Sequence, residues 1–232
     1  MNDTMSEYAT RPDLASLPDL ASLLCSRLCH DLLSPVGALT NGLELLAEEP
    51  DGDMRGRIIE LLEQSARASA DKLKFFRLAF GAAGGFGEQI PVTEAQALVD
   101  ALVGANGRIE ARWALSDAAL PKPAIKILLN LALIGIDALV RGGTLDIGAE
   151  LHAPDGSGAA DVVEIVIRAA GPRIAFDPLV GKALDGSLDP ADLSSKTAPA
   201  AMIRQLATGL GGGIQVALTE GALVMGAVLP SR

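Results

Sequence analysis

The sequence predicts an α+β protein in which a long helical hairpin precedes an α/β sandwich. Three observations carry that expectation. Apolar residues recur every three or four positions through the first third of the chain, a glycine-rich segment interrupts the pattern, and beyond it short alternating stretches are interleaved with helical ones. With 49% hydrophobic but only 3% aromatic residues, the core must be filled by Leu, Ala, Ile and Val, which suits helix packing and thin α/β layers. A chain of 232 residues is long enough for one large domain or two modest ones.

In the first helix Leu17, Ala21, Leu24, Leu28, Leu32, Val36, Leu39, Leu43 and Leu46 form one continuous stripe. Residues 47–53 then read as a turn, with Pro50 and Gly52 as breakers. The second helix repeats the pattern with Met54, Ile58, Leu62, Ser65, Ser69, Leu73, Phe76 and Phe80. Each helix, at about 30 residues and ~1.5 Å per residue, is about 45 Å long. A lone hairpin over residues 13–83 leaves half of each stripe wet. A second copy across a two-fold axis closes a four-helix bundle, so a homodimer is expected from the unburied stripe alone.

Residues 81–87, rich in Gly and Ala, read as a flexible joint to a second domain over residues 88–232. There Thr93 is the expected N-cap, with Glu94 in the first turn, of a helix running to Val103. A strand over 108–115, a buried helix over 123–140 and strands over 145–152 and 162–169 follow. After a polar stretch at 177–197 come a helix over 199–210 and a closing hairpin, 214–218 with 222–229, turned at Glu220-Gly221. The order implies a sheet with helices on one face.

The net charge of −10 argues against non-specific nucleic-acid binding, which needs basic surface to neutralise phosphates. The N-terminus lacks the charged and apolar regions of a signal peptide. The most apolar run, residues 124–140, contains Lys126, Asn130 and Asp137 and is shorter than the ~20 residues of a membrane span. A cytoplasmic protein without membrane attachment is expected. Cys25 and Cys29, one helical turn apart, are poorly spaced for zinc and read as small buried or half-buried thiols in a reducing compartment.

His30 is the candidate for chemistry. At ~100° per residue it lies about 180° from the midpoint of Leu28 and Leu32, so it points away from the stripe into solvent. A core-packing histidine would sit on the stripe; an ordinary surface histidine is not excluded by the angle. Its neighbours are unusual. Pro35, inside a strong helical pattern, costs about 3 kcal/mol and removes a backbone hydrogen bond, which invites a reason such as a bend around the histidine. Asp31 is placed to orient the imidazole and stabilise positive charge on it.

The string His30-Asp31-Leu32-Leu33-Ser34-Pro35 resembles the H-box of two-component histidine kinases, and a hairpin before an α/β sandwich is similar to the order of a kinase core. The match is closest to the ChpT family of alphaproteobacteria and covers nearly the whole chain. The resemblance implies a dimeric histidine phosphotransferase whose C-terminal domain looks like a kinase ATPase domain that has lost its ATP site. By that likeness Asn130 keeps the first asparagine of the N-box, while Ile134 stands at the metal position and offers no oxygen to a hard cation. Ala169-Ala170-Gly171-Pro172-Arg173 replaces the Asp-x-Gly-x-Gly box, so the acceptor for adenine is missing. The glycines at 209 and 211–213 do not have phosphate-loop spacing and fit a helix C-cap and turn instead.

The family role this implies is to accept phosphate on His30 from the receiver-domain aspartate of a hybrid kinase, without using ATP. The group then passes to response regulators that include a cell-cycle regulator. No cofactor or metal is expected on this chain, and Mg²⁺ belongs to the partner receiver domain. Folding the hairpin about Pro50 places residues near Ala70 beside His30. Arg67 and Lys74, one turn either side, would steady a phosphate, unless they are simply solvated charges. Leu33, off the core stripe, is the expected docking contact for a receiver. Two rival readings are an active kinase with unusual nucleotide boxes and a non-catalytic dimeric adaptor.

Overall fold

The computed structural model describes residues 16–81, 87–152 and 161–230. Helices α1 (Ser16–Glu48) and α2 (Gly52–Ala79) form the antiparallel hairpin. The turn is shorter than the sequence suggested. Gly52 is already helical, and Asp51 caps α2 by accepting from the Met54 amide at 2.8 Å. Arg55 closes the other end of the turn by donating to the Leu46 and Glu49 carbonyls at the C-terminus of α1.

That one change re-registers the hairpin. Gly42 of α1 is buried against Leu62, and Lys72 reaches Asp31, so the fold axis lies near residue 52 rather than Pro50. A shift of about two residues at the turn moves facing positions by about four, one helical turn. His30 therefore lies opposite residues 72–74, not Ala70.

The hairpin stripe divides in two. Leu28, Leu32, Leu39 and Leu46 are half-buried, whereas Val36, Leu43, Met54 and Leu73 are exposed in the single chain, as a lone hairpin requires. At its far end α2 also enters the core of the sandwich, where Leu28 of α1 packs against the same cluster. Phe75, Phe76, Leu78 and Ala79 are buried in the same cluster as the sandwich core. Asn130 strengthens the join, donating from Nδ2 to the Ala79 carbonyl at 3.1 Å. Residues 82–86 of the expected joint lie outside the described residues.

The second part opens with a short strand, β1 (Gln89–Pro91), paired antiparallel with β3 (Ala119–Pro121); neither was legible in the sequence. Helix α3 (Val92–Asn106) starts directly after Pro91, so Thr93 lies inside it and is not the N-cap. Strand β2 (Ile109–Leu115) runs parallel to β4 (Gly143–His152), and helix α4 (Lys122–Ala138) connects them. β5 (Val162–Ala170), β6 (Gly213–Thr219) and β7 (Ala222–Pro230) complete a five-stranded sheet of order β2-β4-β5-β7-β6. Along β5, Val163, Ile165, Ile167 and Ala169 are buried while Glu164, Val166 and Arg168 are exposed. This period-two pattern marks a sheet covered on one face, where α4 packs across β4, β5 and β7.

The stretch expected to be merely polar holds a helix, α5 (Pro178–Asp185), and a 3₁₀ turn, Pro190–Asp192. Asp177 caps α5 by accepting from the Leu179 amide, Pro178 starts it, and Gly186 ends it at φ +85°. Val180, Ala183 and Leu184 bury its inner face, and α5 packs on α6 (Ala198–Gly209). Of the four glycines expected to form a cap and turn, Gly211 and Gly212 do so, while Gly209 lies inside α6 and the C-cap is Leu210. Gly211 has φ +79°, and a Cβ on Gly212 would lie 2.3 Å from the Val228 carbonyl oxygen. Among the described residues no helix is long and apolar enough to cross a membrane.

Candidate phosphoryl-acceptor site

The 3.6-residue period of α1 puts His30 on the face away from α2, and its side chain is 83% exposed. Its Nδ1 lies 3.2 Å from Asp31 Oδ1. An ionised carboxylate only accepts, so this contact needs the proton on Nδ1 and leaves the Nε2 lone pair facing outward. Asp31 itself is largely covered, because two cations the sequence reading did not single out converge on it.

The first is Arg27, one turn earlier on α1. Its Nε donates to Asp31 Oδ2 at 2.7 Å, and its Nη2 donates to Asp137 Oδ2 on α4, also at 2.7 Å. Burial pulls the Arg27 guanidinium down. The charges and hydrogen bonds of Asp137 and Asp31 outweigh it, so the group ends above its ordinary value and stays cationic. The i,i+4 spacing of Arg27 and Asp31 was a readable signal; Asp137 lies 110 positions away and was not.

The second cation is Lys72, whose Nζ donates to the Asp31 backbone carbonyl at 2.8 Å. Pro35 explains the contact. In a helix the amide of residue 35 would donate to the carbonyl of residue 31, and proline has no N–H. The proline within α1 thus frees that acceptor, and the ammonium from α2 satisfies it. Pro35 tolerates no break in α1, which runs on to Glu48. Its physical consequence is an ammonium held one residue from His30.

Of the cations expected from sequence, Arg67 pairs with Glu63 at 3.4 Å and Lys74 with Asp71 at 3.2 Å, both on the exposed surface of α2. Leu33 is 69% exposed. The two cysteines are free and exposed rather than buried, on the same helix as His30. His152 lies far from this constellation in sequence and fold, beside Glu150 and Glu164 near one end of the sheet.

The region expected to correspond to a nucleotide site is a cavity of about 210 Å³ lined by Ile134, Asp137, Phe176, Asp177 and Lys196, with Arg27 of the hairpin at its edge. Small-molecule sites commonly occupy ~300–1,000 Å³. Ile134 presents only carbon to it, and Ala169 is fully buried with no acceptor to offer. Asn130 is also fully buried; its Nδ2 donates to the Ala79 and Lys126 carbonyls, while its Oδ1 has no hydrogen-bond partner among the described residues. Ile134 and Ala169 thus offer neither a metal ligand nor an adenine acceptor at the two positions where the kinase likeness expects them.

Residues 92–222 match the model of the histidine phosphotransferase C-terminal domain. Over 139 residues the chain is 45% identical to protein phosphotransferase ChpT of Brucella abortus (strain 2308), an alignment covering 60% of this chain and 65% of that protein. It thus spans a little under two thirds of that relative. A solved bacterial phosphotransferase superposes with a TM-score of 0.75 at 33% identity, covering 91% of this chain and 97% of the other. The family match extends over more than half of the sequence, and the structural match over nearly all of it. The chain belongs to the histidine phosphotransferase family.

Proposed function

We propose that this chain is a phosphorelay carrier that accepts a phosphoryl group on His30 from a receiver-domain aspartate and passes it to the aspartate of another receiver. The observation that carries the reading is the exposed imidazole whose Nδ1 is engaged by Asp31 while its Nε2 faces solvent. Nε2 attacks the phosphorus of the aspartyl phosphate in line. The N–P bond forms as the P–O bond to the aspartate breaks, and the carboxylate leaves with the electron pair. The ring keeps its Nδ1 proton and becomes cationic, so the Asp31 carboxylate compensates charge where it develops. The second transfer reverses these steps on a new carboxylate.

The reading extends to partners. A hybrid kinase supplies the donor receiver, which brings its own Mg²⁺, and response regulators, including one of cell-cycle control, accept the group. Leu33, at 69% exposure and one helical turn from His30, supplies apolar contact to a docked receiver. Arg67 and Lys74 are less favoured as phosphate ligands than the sequence suggested, since carboxylates of their own helix occupy them. The exposed apolar residues Val36, Leu43, Ile59 and Leu61 support a homodimer closed through the hairpin. The unsuitable residues at Ile134 and Ala169 support a carrier that does not use ATP. A cytoplasmic location fits two unbridged cysteines.

The test incubates the purified protein with labelled ATP alone and, separately, with a labelled phospho-receiver, for wild type and His30→Ala. Label arriving only from the receiver, acid-labile and absent in the variant, is the expected result. Label from ATP alone identifies a kinase and overturns the reading. No label from a receiver competent toward other carriers identifies an adaptor.

A further inference from the structure

Among the described residues, the sandwich meets the surroundings of His30 through an ion pair to which the chemistry above assigns no role, Arg27 with Asp137. Arg27 lies between Asp31 and Asp137, and its side chain is 14% exposed. Each contact uses a different nitrogen: Nε serves Asp31 Oδ2, and Nη2 serves Asp137 Oδ2. Asp31 is therefore divided, with Oδ2 committed to Arg27 and Oδ1 left for His30 Nδ1.

That division is not what Arg27 and Asp31 would choose alone. A guanidinium is a rigid fork that pairs preferentially with both oxygens of one carboxylate. On a free helix the i,i+4 pair would close in that manner, and Oδ1 would be taken from the imidazole. Asp137 pulls Nη2 the other way and holds the fork to one oxygen. The partial burial of Arg27 strengthens both bonds by lowering the local dielectric. Lys72 is occupied by the Asp31 backbone carbonyl and does not compete for the carboxylate.

We propose that Asp137 of α4 is a positioning residue for His30, acting through Arg27 to keep Asp31 Oδ1 available and the imidazole in its Nδ1–H form. The C-terminal domain then takes part in phosphotransfer without touching phosphate. Its seating on the hairpin sets the reactive tautomer some three side chains away. The inference rests on reading His30 as the phosphoryl carrier, but the tautomer it predicts can be measured without any transfer.

The test compares wild type, Asp137→Asn and Asp137→Glu. Asp137 is half exposed, so both variants are expected to fold, and a thermal melt of each checks it. Long-range ¹H–¹⁵N spectra of the neutral His30 ring report which nitrogen carries the proton, and single-turnover transfer from a labelled phospho-receiver reports the rate. In Asp137→Asn the Nδ1–H population falls and transfer slows on the order of 10-fold, the lower end of what losing an orienting outer partner costs metal-bound histidines. Asp137→Glu restores much of both. An Asp137→Asn protein with the wild-type tautomer overturns the proposal whatever its transfer rate, because a slower rate would then reflect receiver docking. A wild-type protein that accepts no phosphoryl group overturns the carrier reading instead, and the spectra still decide the role of Asp137.

Discussion

Phe76→Ala tests whether hairpin and sandwich are one cooperative unit. Phe76 sits on the last turns of α2, is 3% exposed, and contacts two other rings. It meets Phe75 edge-on at 5.7 Å between centroids and stacks on Phe80 at 5.1 Å. Truncating a buried Phe costs about 3–5 kcal/mol, and each ring pair contributes ~0.5–1.5 kcal/mol beyond area. The upper part of the range, about 4–5 kcal/mol, is expected here. For a chain of this size 1 kcal/mol moves the midpoint by about 2–4 °C, so Tm should fall by roughly 8–20 °C. Circular dichroism and calorimetry at fixed protein concentration read the transition. Because Phe75, Phe76, Leu78 and Ala79 share a cluster with Ile125, Leu128 and Leu145, helix and sheet signals should melt together in wild type and variant. Two separated transitions, with only the hairpin sensitive to the substitution, would refute the shared core.

Other expectations are equally specific. Lys72→Met removes the donor to the Asp31 carbonyl and should cost about 1 kcal/mol. In a Pro35→Ala background the residue 35 amide returns to that carbonyl, so the loss should largely vanish, a coupling readable in a double-mutant cycle. Gly135→Val should destabilise by about 1–3 kcal/mol in urea titration, since even a Cβ there lies 2.6 Å from Cδ1 of the fully buried Leu145. Asp177→Ala removes the α5 N-cap and should cost about 1 kcal/mol at neutral pH. Its carboxyl is held below the ordinary value by the hydrogen bond from Lys196 at 2.9 Å, then by the Leu179 amide. A depressed carboxylate stabilises the fold above its unfolded value and loses that contribution as pH falls through the folded value. The gap between wild type and Asp177→Ala should therefore narrow only in acid, below about pH 4.

The sequence was most informative where period and local chemistry agree. The stripe on α1, the exposure of His30, and the alternation along β5 follow from repeats of 3.6 and 2, which neighbours do not alter. It was weaker where a two-residue error is amplified by geometry. Placing the turn at Pro50 mispaired the hairpin by one helical turn and drew attention to Arg67 rather than Lys72. Capping at α5 was legible in Asp177, Pro178 and Gly186 but was masked by the surrounding polarity. The pairing of β1 with β3, three residues each, depends on tertiary contact, and so does the bridge from Asp137 to Arg27. No local pattern encodes either. The cysteines show the same limit: their positions are plain, but exposure depends on which face of α1 the sandwich covers.

The most direct test of the central claim is ³¹P spectroscopy of the protein loaded by a phospho-receiver. A single phosphoramidate resonance of the Nε2 type, absent from His30→Ala, is the predicted result, since Nδ1 is held by Asp31. A resonance of the Nδ1 type, phosphate on another residue, or no loading by a competent receiver would contradict it.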